Sequence, residues 1–163
     1  EQYPGVGGKL HYSEGLFVGY RGMERSGLRA QYPFGFGLAY TTFAYSHLEV
    51  DPLQGDGTGK ISISFRVGNT GNREGLETAQ VYLSLPDSTG MAGKRLAGWA
   101  QVSLQPGENR RVTICLDPQD GNHPLSFWSE NMHGWQIAAG EYRLWVGASS
   151  ADIRLSSGFK IVK

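Results

Sequence analysis

The sequence has almost no cysteine and no excess of charge of either sign. Its single cysteine, Cys115, excludes an internal disulfide and a cysteine-based zinc cluster, and we expect it to be a structural residue within a strand. Fifteen basic and fifteen acidic residues give a formal net charge of zero, without a long run of either sign. Nothing in this balance favours a polyanion or an anionic membrane, so nucleic acid is not an expected partner.

Long hydrophobic runs are missing as well. No apolar run approaches the roughly 20 residues that a membrane-spanning helix needs, so we predict a soluble chain without a membrane partner. The start of the chain has neither the basic nor the hydrophobic region of a signal peptide, which indicates a cut at this point. The compartment stays open, because a missing disulfide does not exclude a secreted or periplasmic protein.

No sequence pattern for a metal or a cofactor occurs. The glycine-rich stretch 5–8 has neither the preceding hydrophobic strand nor the following helix that a nucleotide-binding loop needs. The histidines show no short metal-ligand spacing. We therefore predict no cofactor-binding residue and no metal-binding residue. The four histidines are His11, His47, His123 and His133.

The most apolar stretch near the start of the chain is 31–43, which contains three phenylalanines, two tyrosines and one leucine. Pro33, Gly35 and Gly37 exclude a regular helix, and so many apolar side chains are unusual in a free loop. We therefore predict a packed connector. The preceding chain is rich in glycine and weakly periodic, and its one strong apolar run, 16–18, predicts a short strand or a buried turn.

From Phe43 onward, apolar and polar residues alternate with the period of two that is typical of strands with one buried face. About seven such strands follow, and no longer stretch shows the apolar stripe of a helix. We predict an all-β, immunoglobulin-like antiparallel sandwich with Greek-key connections and an irregular N-terminal extension. The residues predicted to face inward between two sheets are Ile63, Phe65, Val81, Leu83, Val102, Ile114, Tyr142 and Leu144.

Two local patterns add detail to this sandwich. The turn at 105–109 separates the apolar series 96–104 and 112–116, which predicts that these two strands form a hairpin. Residues 140–147 are typical of the tyrosine corner of immunoglobulin-like folds, in which the hydroxyl of a tyrosine, here Tyr142, binds the backbone.

Two motifs, in this order, resemble the join between the second and third domains of family 3 glycoside hydrolases. They are Tyr-Ser-Glu-Gly-Leu-Phe-Val-Gly-Tyr-Arg at 12–21 and Tyr-Pro-Phe-Gly-Phe-Gly-Leu-Ala-Tyr-Thr-Thr-Phe at 32–43. The following strands resemble the third domain of that family over nearly all of the remaining chain. Trp99 stands where the family often has phenylalanine, a change that a core or half-buried site could accommodate. The strand segments that carry the resemblance are 67–71, 75–83, 94–99, 104–108 and 140–150.

The resemblance implies a fold and a place within a larger enzyme. In that family an N-terminal barrel supplies an aspartate nucleophile, an α/β domain supplies a glutamate acid/base, and a fibronectin type III-like β-sandwich often follows. Residues 1–42 would then be the tail of the α/β domain with the aromatic connector, and 43–163 the fibronectin type III-like sandwich. The barrel and the α/β domain of the parent enzyme are the expected partners.

Catalytic residues are not expected in this chain. A retaining glycosidase needs two carboxylates roughly 5 Å apart, and the fifteen acids include no recognisable pair. The Ser-Asp-Trp nucleophile motif of the family is missing, and Glu14, the one carboxylate within a family motif, is interpreted as a cap or an ion-pair partner. We predict that the chain by itself is inactive.

Two functions follow from these observations. The first is a non-catalytic accessory domain of a β-glucosidase-type or β-xylosidase-type enzyme, in which the connector packs partly on the sandwich and partly on the α/β domain. The second is an independent carbohydrate-binding or adhesion module, based on four tryptophans and eight tyrosines that could stack on sugar rings, although core or interdomain packing is preferred for them. In the isolated chain, we expect residues 1–30 to be loosely held or to self-associate with a second copy. The residues assigned to interdomain packing are Phe34, Phe36, Leu38, Tyr40 and Phe43.

Overall fold

The computed structural model describes residues 5–91 and 93–162; the predictions about the first four residues and the last one lie outside this range. Within it, the chain forms strands joined by turns, together with one short α-helix near the start and a 3₁₀ helix at Asp87–Thr89. The elements are α1 (Tyr20–Arg25), β1 (Phe43–Asp51), β2 (Gln54–Gly55), β3 (Ile61–Asn69), β4 (Gly75–Ser84), β5 (Arg95–Leu104), β6 (Asn109–Leu116), β7 (Phe127–Ser129), β8 (Gly134–Gln136), β9 (Gly140–Gly147) and β10 (Ile153–Ile161).

The strands form two packed sheets and a small ribbon. One sheet has the order β1-β3-β6, the other has the order β2-β10-β9-β4-β5, and β7 pairs with β8. The pairings between these strands are antiparallel except that of β10 with β2, which makes the five-stranded sheet mixed. The predicted all-β sandwich with an irregular N-terminal extension is confirmed, with this one parallel pairing as a departure.

The core lies between the two sheets and is built from alternate residues of the facing strands. All eight residues predicted to face inward are buried, with exposed fractions of 7% or less. Phe65 lies opposite Val112 in the three-stranded sheet, and Val81 lies opposite Val146 in the five-stranded sheet. Phe65 also stacks on Tyr45, with ring centroids 6.1 Å apart. Alternation along the sequence therefore predicted the inner face correctly.

The predicted hairpin of β5 and β6 is wrong. β5 pairs with β4 in the five-stranded sheet, whereas β6 pairs with β3 in the other, so the turn between them crosses from one sheet to the other. The N–H of Gly107 in this turn donates to the carbonyl of Asn69 at 3.0 Å, and the N–H of Asn69 donates to the carbonyl of Glu108 at 2.9 Å. Alternation specifies which face of a strand is buried, and strands from opposite sheets satisfy it as well as neighbours do.

Tyr142 forms the predicted tyrosine corner. Its ring stacks on Phe159 in the core, with centroids 5.0 Å apart. Its hydroxyl donates to the carbonyl of Ala138 at 2.9 Å, and the carbonyl of Leu125 lies 3.3 Å from the same oxygen. Burial raises the pKa of Tyr142 to about 12, so the hydroxyl keeps the proton that it donates. The corner ties the loops on both sides of the β7–β8 ribbon to the core.

Asn69, at the end of β3, holds the point where the extension enters the sandwich. Its buried side-chain oxygen accepts hydrogen bonds from the Thr41 hydroxyl at 2.6 Å and from the N–H of Gly71 at 3.0 Å. Its side-chain nitrogen donates to the carbonyls of Arg73 at 2.7 Å and Leu104 at 3.0 Å. A Cβ atom at Gly71 would lie 2.3 Å from the Thr41 hydroxyl, so the turn has room only for glycine. The fully bonded amide therefore fixes the end of the connector.

Two smaller expectations have different outcomes. Residues 16–18 form neither a strand nor a buried turn, because Leu16 and Val18 are exposed and only Phe17 is partly buried. The N–H of Phe17 donates to the carbonyl of Glu14 at 3.0 Å, and this tight turn prevents three successive side chains from covering one surface. Cys115 lies within β6, as predicted, but its side chain is exposed.

Candidate interdomain surface

The outer face of the second half of β4 is buried, although alternation along this strand predicts a polar, solvated face. Ala79, Val81 and Leu83 point into the core, so Gln80 and Tyr82 point away from it. Nevertheless, only 4% of Gln80 and 0% of Tyr82 are exposed. The connector segment 33–37 covers them, so the second half of β4 is buried on both faces.

The Gln80 side chain binds the connector to the sheet. Its amide nitrogen donates to the carbonyls of Gly35 at 3.0 Å and Ala148 at 2.7 Å, and its oxygen accepts from the Tyr82 hydroxyl at 2.5 Å. The same hydroxyl lies 3.4 Å from the carbonyl of Phe34. A Cβ atom at Gly35 would lie 2.0 Å from the Gln80 oxygen, and the φ of Gly35 is +80°, so glycine is required at this approach. Burial raises the pKa of Tyr82 above its usual range, which keeps the hydroxyl a donor.

The short helix α1 is held against the same face. The ring of Tyr20 stacks on Phe34, with centroids 4.6 Å apart and planes 17° apart. The Tyr20 hydroxyl accepts a hydrogen bond from the N–H of Leu96 in β5 at 2.9 Å. Lys94 and Glu24 form an ion pair at 2.7 Å. The part of the extension from α1 to Gly37 therefore packs on β4 and β5.

The five residues assigned to interdomain packing fall into three environments. Phe43 begins β1 and packs against the core. Phe34 and Phe36 are each about half exposed, Phe34 on Tyr20 and Phe36 beside Tyr32, with the latter two ring centroids 5.4 Å apart. Leu38 and Tyr40 are 90% and 91% exposed. The contact of these residues with a further domain stays a prediction.

A groove of about 430 Å³ runs between the connector and the outer face of β4 and β5. Its apolar lining includes Phe36, Leu38, Leu76 and Trp99. Trp99 is not a core residue, because 61% of this side chain is exposed; interdomain packing of this residue stays a prediction. Trp99 lies opposite Gln80 on β5, on the outer face of the sheet, where the connector covers Gln80 but leaves the indole open. Exposed apolar side chains grouped in this way are typical of interaction surfaces, and the contact of this groove with a further domain stays a prediction.

A second group of exposed aromatic rings lies on the β7–β8 ribbon. Trp128 and Trp135 are cross-strand partners, about half exposed, with centroids 5.7 Å apart and planes 81° apart. His123 stacks on Trp135 at 4.1 Å. Arg95 fixes this loop, because its guanidinium donates to three backbone carbonyls, those of His123, Pro124 and Ser126, at distances of 2.7–3.0 Å. Arg95 thus ties the loop that leads into β7 to β5.

Glu77 is a partly buried carboxylate of the sandwich. Burial raises its pKa, and the Tyr45 hydroxyl, which donates to it at 2.6 Å, partly offsets this effect. The neighbouring Arg154 forms an ion pair with Asp152. We interpret these contacts as a structural network.

Neither a metal cluster nor a membrane-spanning helix is found in the described part of the chain. No group of three or more metal-binding side chains occurs among residues 5–91 and 93–162. No helix in these ranges is long and apolar enough to cross a membrane.

The geometry defines a β-sandwich module with a docked, aromatic N-terminal extension, and comparison with known proteins identifies its class. Residues 77–150 match the family model of the fibronectin type III-like domain. The chain matches the C-terminal, fibronectin type III-like region of family 3 β-glucosidases.

The relatives are similar over nearly the whole chain. Thermostable beta-glucosidase B of Acetivibrio thermocellus is 34% identical over 160 residues, which cover 98% of this chain and 21% of that protein. Probable beta-glucosidase L of Aspergillus fumigatus is 37% identical over 166 residues, which cover 92% of this chain and 22% of that protein. The chain thus spans about a fifth of the length of these relatives.

Solved structures have the same fold. The crystal structure of the Bifidobacterium adolescentis family 3 beta-glucosidase superposes with a TM-score of 0.85 at 34% identity, over 98% of this chain and 23% of that one. DesR, a beta-glucosidase from Streptomyces venezuelae in complex with D-glucose, gives a TM-score of 0.87 at 36% identity, over 99% of this chain and 20% of that one.

Proposed function

We propose that this chain is a non-catalytic accessory domain that stabilises and positions the catalytic barrel and the α/β domain of a β-glucosidase-type enzyme. The observation that carries this proposal is the two-sided connector. One side is bound to β4 through Gln80 and Tyr82, while Leu38 and Tyr40 point away from the sandwich almost fully exposed.

Burial of the exposed side of the connector would contribute free energy to the binding of a second domain. Burying a leucine-sized or larger apolar side chain contributes about 1.5–3 kcal/mol. Leu38 and Tyr40 contribute little of this within the chain, because they stay exposed there. A domain that covers them gains this free energy, and the isolated chain is expected to recover part of it by self-association.

The anchored connector also explains how such a domain is positioned. Its start is tied to the loop between β9 and β10 by the N–H of Ser150, which donates to the carbonyl of Phe34 at 2.8 Å. Its end is tied by the N–H of Thr70, which donates to the carbonyl of Thr42 at 2.8 Å. A domain bound between two fixed points takes one orientation relative to the sandwich, so scaffolding is the function that we assign.

The proposal is tested with Leu38→Asp in the larger protein that carries this chain. We expect the variant to lose glucosidase activity faster on heating. A carboxylate placed in an interdomain contact is desolvated without a partner, which weakens the contact. Leu53→Asp is the matched control, since Leu53 is also exposed but lies beside β2, away from the connector. Equal inactivation rates for the two variants and the unchanged protein would count against the scaffolding role.

The chain by itself is expected not to hydrolyse aryl glucosides or aryl xylosides, because a retaining mechanism needs a nucleophile and an acid/base carboxylate together. The measurement is release of the aryl group by the purified chain. Turnover that disappears when one acid of this chain is replaced by its amide would contradict the prediction.

A second candidate function is an independent carbohydrate-binding module, favoured by the exposed, perpendicular indoles of Trp128 and Trp135. Such a corner presents two apolar ring faces on which a pyranose could stack. Titration with soluble cello-oligosaccharides distinguishes the candidates. Binding in the millimolar range or tighter that is lost in Trp135→Ala and retained in Trp99→Ala favours this module, whereas no binding favours the accessory role.

A further inference from the structure

A cationic groove of about 390 Å³ lies between α1 and the loop around Gly90 and Gly93. Three of its lining residues are basic, Arg21, Arg25 and Lys94, and one is acidic, Glu24. Glu24 is already paired with Lys94, with the Lys94 nitrogen 2.7 Å from its carboxylate. Two arginine charges are therefore left in the groove without a compensating carboxylate among the described residues.

The two arginines are preorganised on an aromatic ring. The guanidinium carbon of Arg25 lies 3.9 Å from the centroid of Phe17, and that of Arg21 lies 5.6 Å from it. Stacking on a ring restricts the long arginine side chains and leaves the edges of their guanidinium groups to donate hydrogen bonds. The groove thus presents fixed donors rather than freely moving surface charges.

Arg21 also has a donor that the described part of the chain leaves unused. Its Nε is buried and has no hydrogen-bond acceptor, which is a rare and unfavourable state for a charged group. The positive charges of Arg21 and the nearby Arg95 repel each other. The Arg95 guanidinium already donates to backbone carbonyls of the loop before β7. An anion in the groove would offset the repulsion between the two arginines.

We propose that Arg21, with Arg25 and Lys94 beside it, forms a carboxylate-binding site whose occupant is an Asp or Glu side chain from the larger protein, outside residues 1–163. The planar guanidinium of an arginine matches a carboxylate through two parallel hydrogen bonds. The source of the acid rests on the proposed function and on the fact that the chain spans about a fifth of the length of its relatives. The exposed Leu16 and Val18 beside α1 are further surface that such a domain would cover.

The site would specify orientation more than it would add stability. A buried ion pair offsets much of its attraction by the desolvation of both charges, but an unpaired charge in the same place is strongly unfavourable. Only an arrangement that brings the acid to Arg21 avoids this penalty. The pair therefore selects one docking geometry from those that the apolar connector alone would allow.

The test is zero-length carbodiimide coupling in the larger protein carrying Arg21→Lys, followed by peptide mass spectrometry. The reagent adds to a carboxylate to form an activated ester. The introduced amine then attacks the carbonyl carbon and forms an amide, and the reagent leaves as a urea that has taken up the water lost in the condensation. We expect a new link from position 21 to an acid outside 1–163, in about tenfold or greater yield than from Arg66→Lys, because contact raises the effective concentration of the acid. Arg66 is an exposed arginine of β3 and serves as the matched control.

Two further features keep the result decisive. The native Lys94–Glu24 pair should couple in every sample, which shows that the reagent worked and that α1 is in place. If Arg21→Lys does not fold, Arg25→Lys introduces an amine into the same groove. Links confined to acids of this chain, or an equal link from Arg66→Lys, would overturn the proposal. Because the heating assay above needs no coupling, scaffolding and the carboxylate site can fail independently.

Discussion

The sandwich and the N-terminal extension are both rich in aromatic and apolar residues, but they use them in opposite ways. In the sandwich, 22 apolar side chains are buried. In the described part of the extension, 5–42, no residue reaches that burial, and Leu38 and Tyr40 are almost fully exposed. The difference shows that apolar content does not make a core by itself. A core requires two faces that close on each other, and the extension supplies only one.

Phe65→Ala tests the contrast where the largest effect is expected. Removing a fully buried ring should lower the free energy of unfolding by about 3–5 kcal/mol. Tyr40→Ala in the extension should change it by less than about 0.5 kcal/mol, because that ring is exposed. Urea unfolding of the two variants measures both values. A loss below about 1 kcal/mol for Phe65→Ala would place Phe65 outside a packed core.

Asn69→Ala tests the junction between the two regions. Four hydrogen bonds of the buried amide disappear, so the Leu104 and Arg73 carbonyls lose this donor and the Thr41 hydroxyl and Gly71 N–H lose this acceptor. We expect a loss of about 2–3 kcal/mol in the same urea assay. Asn72→Ala, in the exposed part of the same turn, is the control and should be nearly neutral. Similar losses for the two asparagines would mean that Asn69 does not organise the junction.

Gln80→Ala tests whether the connector is docked on β4. Losing the bonds to Gly35 and Ala148 should weaken local protection by about 1–2 kcal/mol, so exchange of the Ser150 amide, which is bound to Phe34, should rise about 5-fold to 30-fold. Gln101→Ala, exposed on β5, should leave this rate unchanged. In the unchanged chain, amides of 36–43 should exchange more slowly than those of 5–8. Equal rates for these two segments would show an undocked connector.

Glu77→Gln is expected to have the smallest effect, which is a change in how the free energy of unfolding depends on pH. Burial raises the native pKa of Glu77 above its ordinary value of 4.5, so its contribution to stability is present below that pH and is lost as pH rises through the native pKa. The amide cannot titrate. Unfolding free energies measured between about pH 4 and 7 should therefore decline less with rising pH in the variant, by under about 1 kcal/mol. Tyr45→Phe removes a donor that stabilises the carboxylate and should steepen the decline instead. Parallel pH profiles for all three proteins would exclude Glu77 as the cause.

The sequence by itself determined the inner face of each strand and the tyrosine corner, because apolar residues at every second position can be buried only on one side. Phe65, Val81 and Leu144 were predicted on this basis alone, and the resemblance of residues 12–21 and 32–43 to a known domain join predicted the family. These signals are local, so they survive without knowledge of what lies next to each strand.

Only the tertiary structure decided which strands are neighbours and which outer faces are covered. The series in β5 and β6 meets across the core instead of side by side, since alternation encodes a face and carries no information about the partner strand. Alternation along β4 predicts that Gln80 and Tyr82 are solvated, but the connector lies on them and binds their polar atoms. Trp99, on the next strand, stays exposed because a groove separates the connector from the indole. Burial on an outer face depends on where a distant segment of chain comes to rest, and that is a property of the folded molecule.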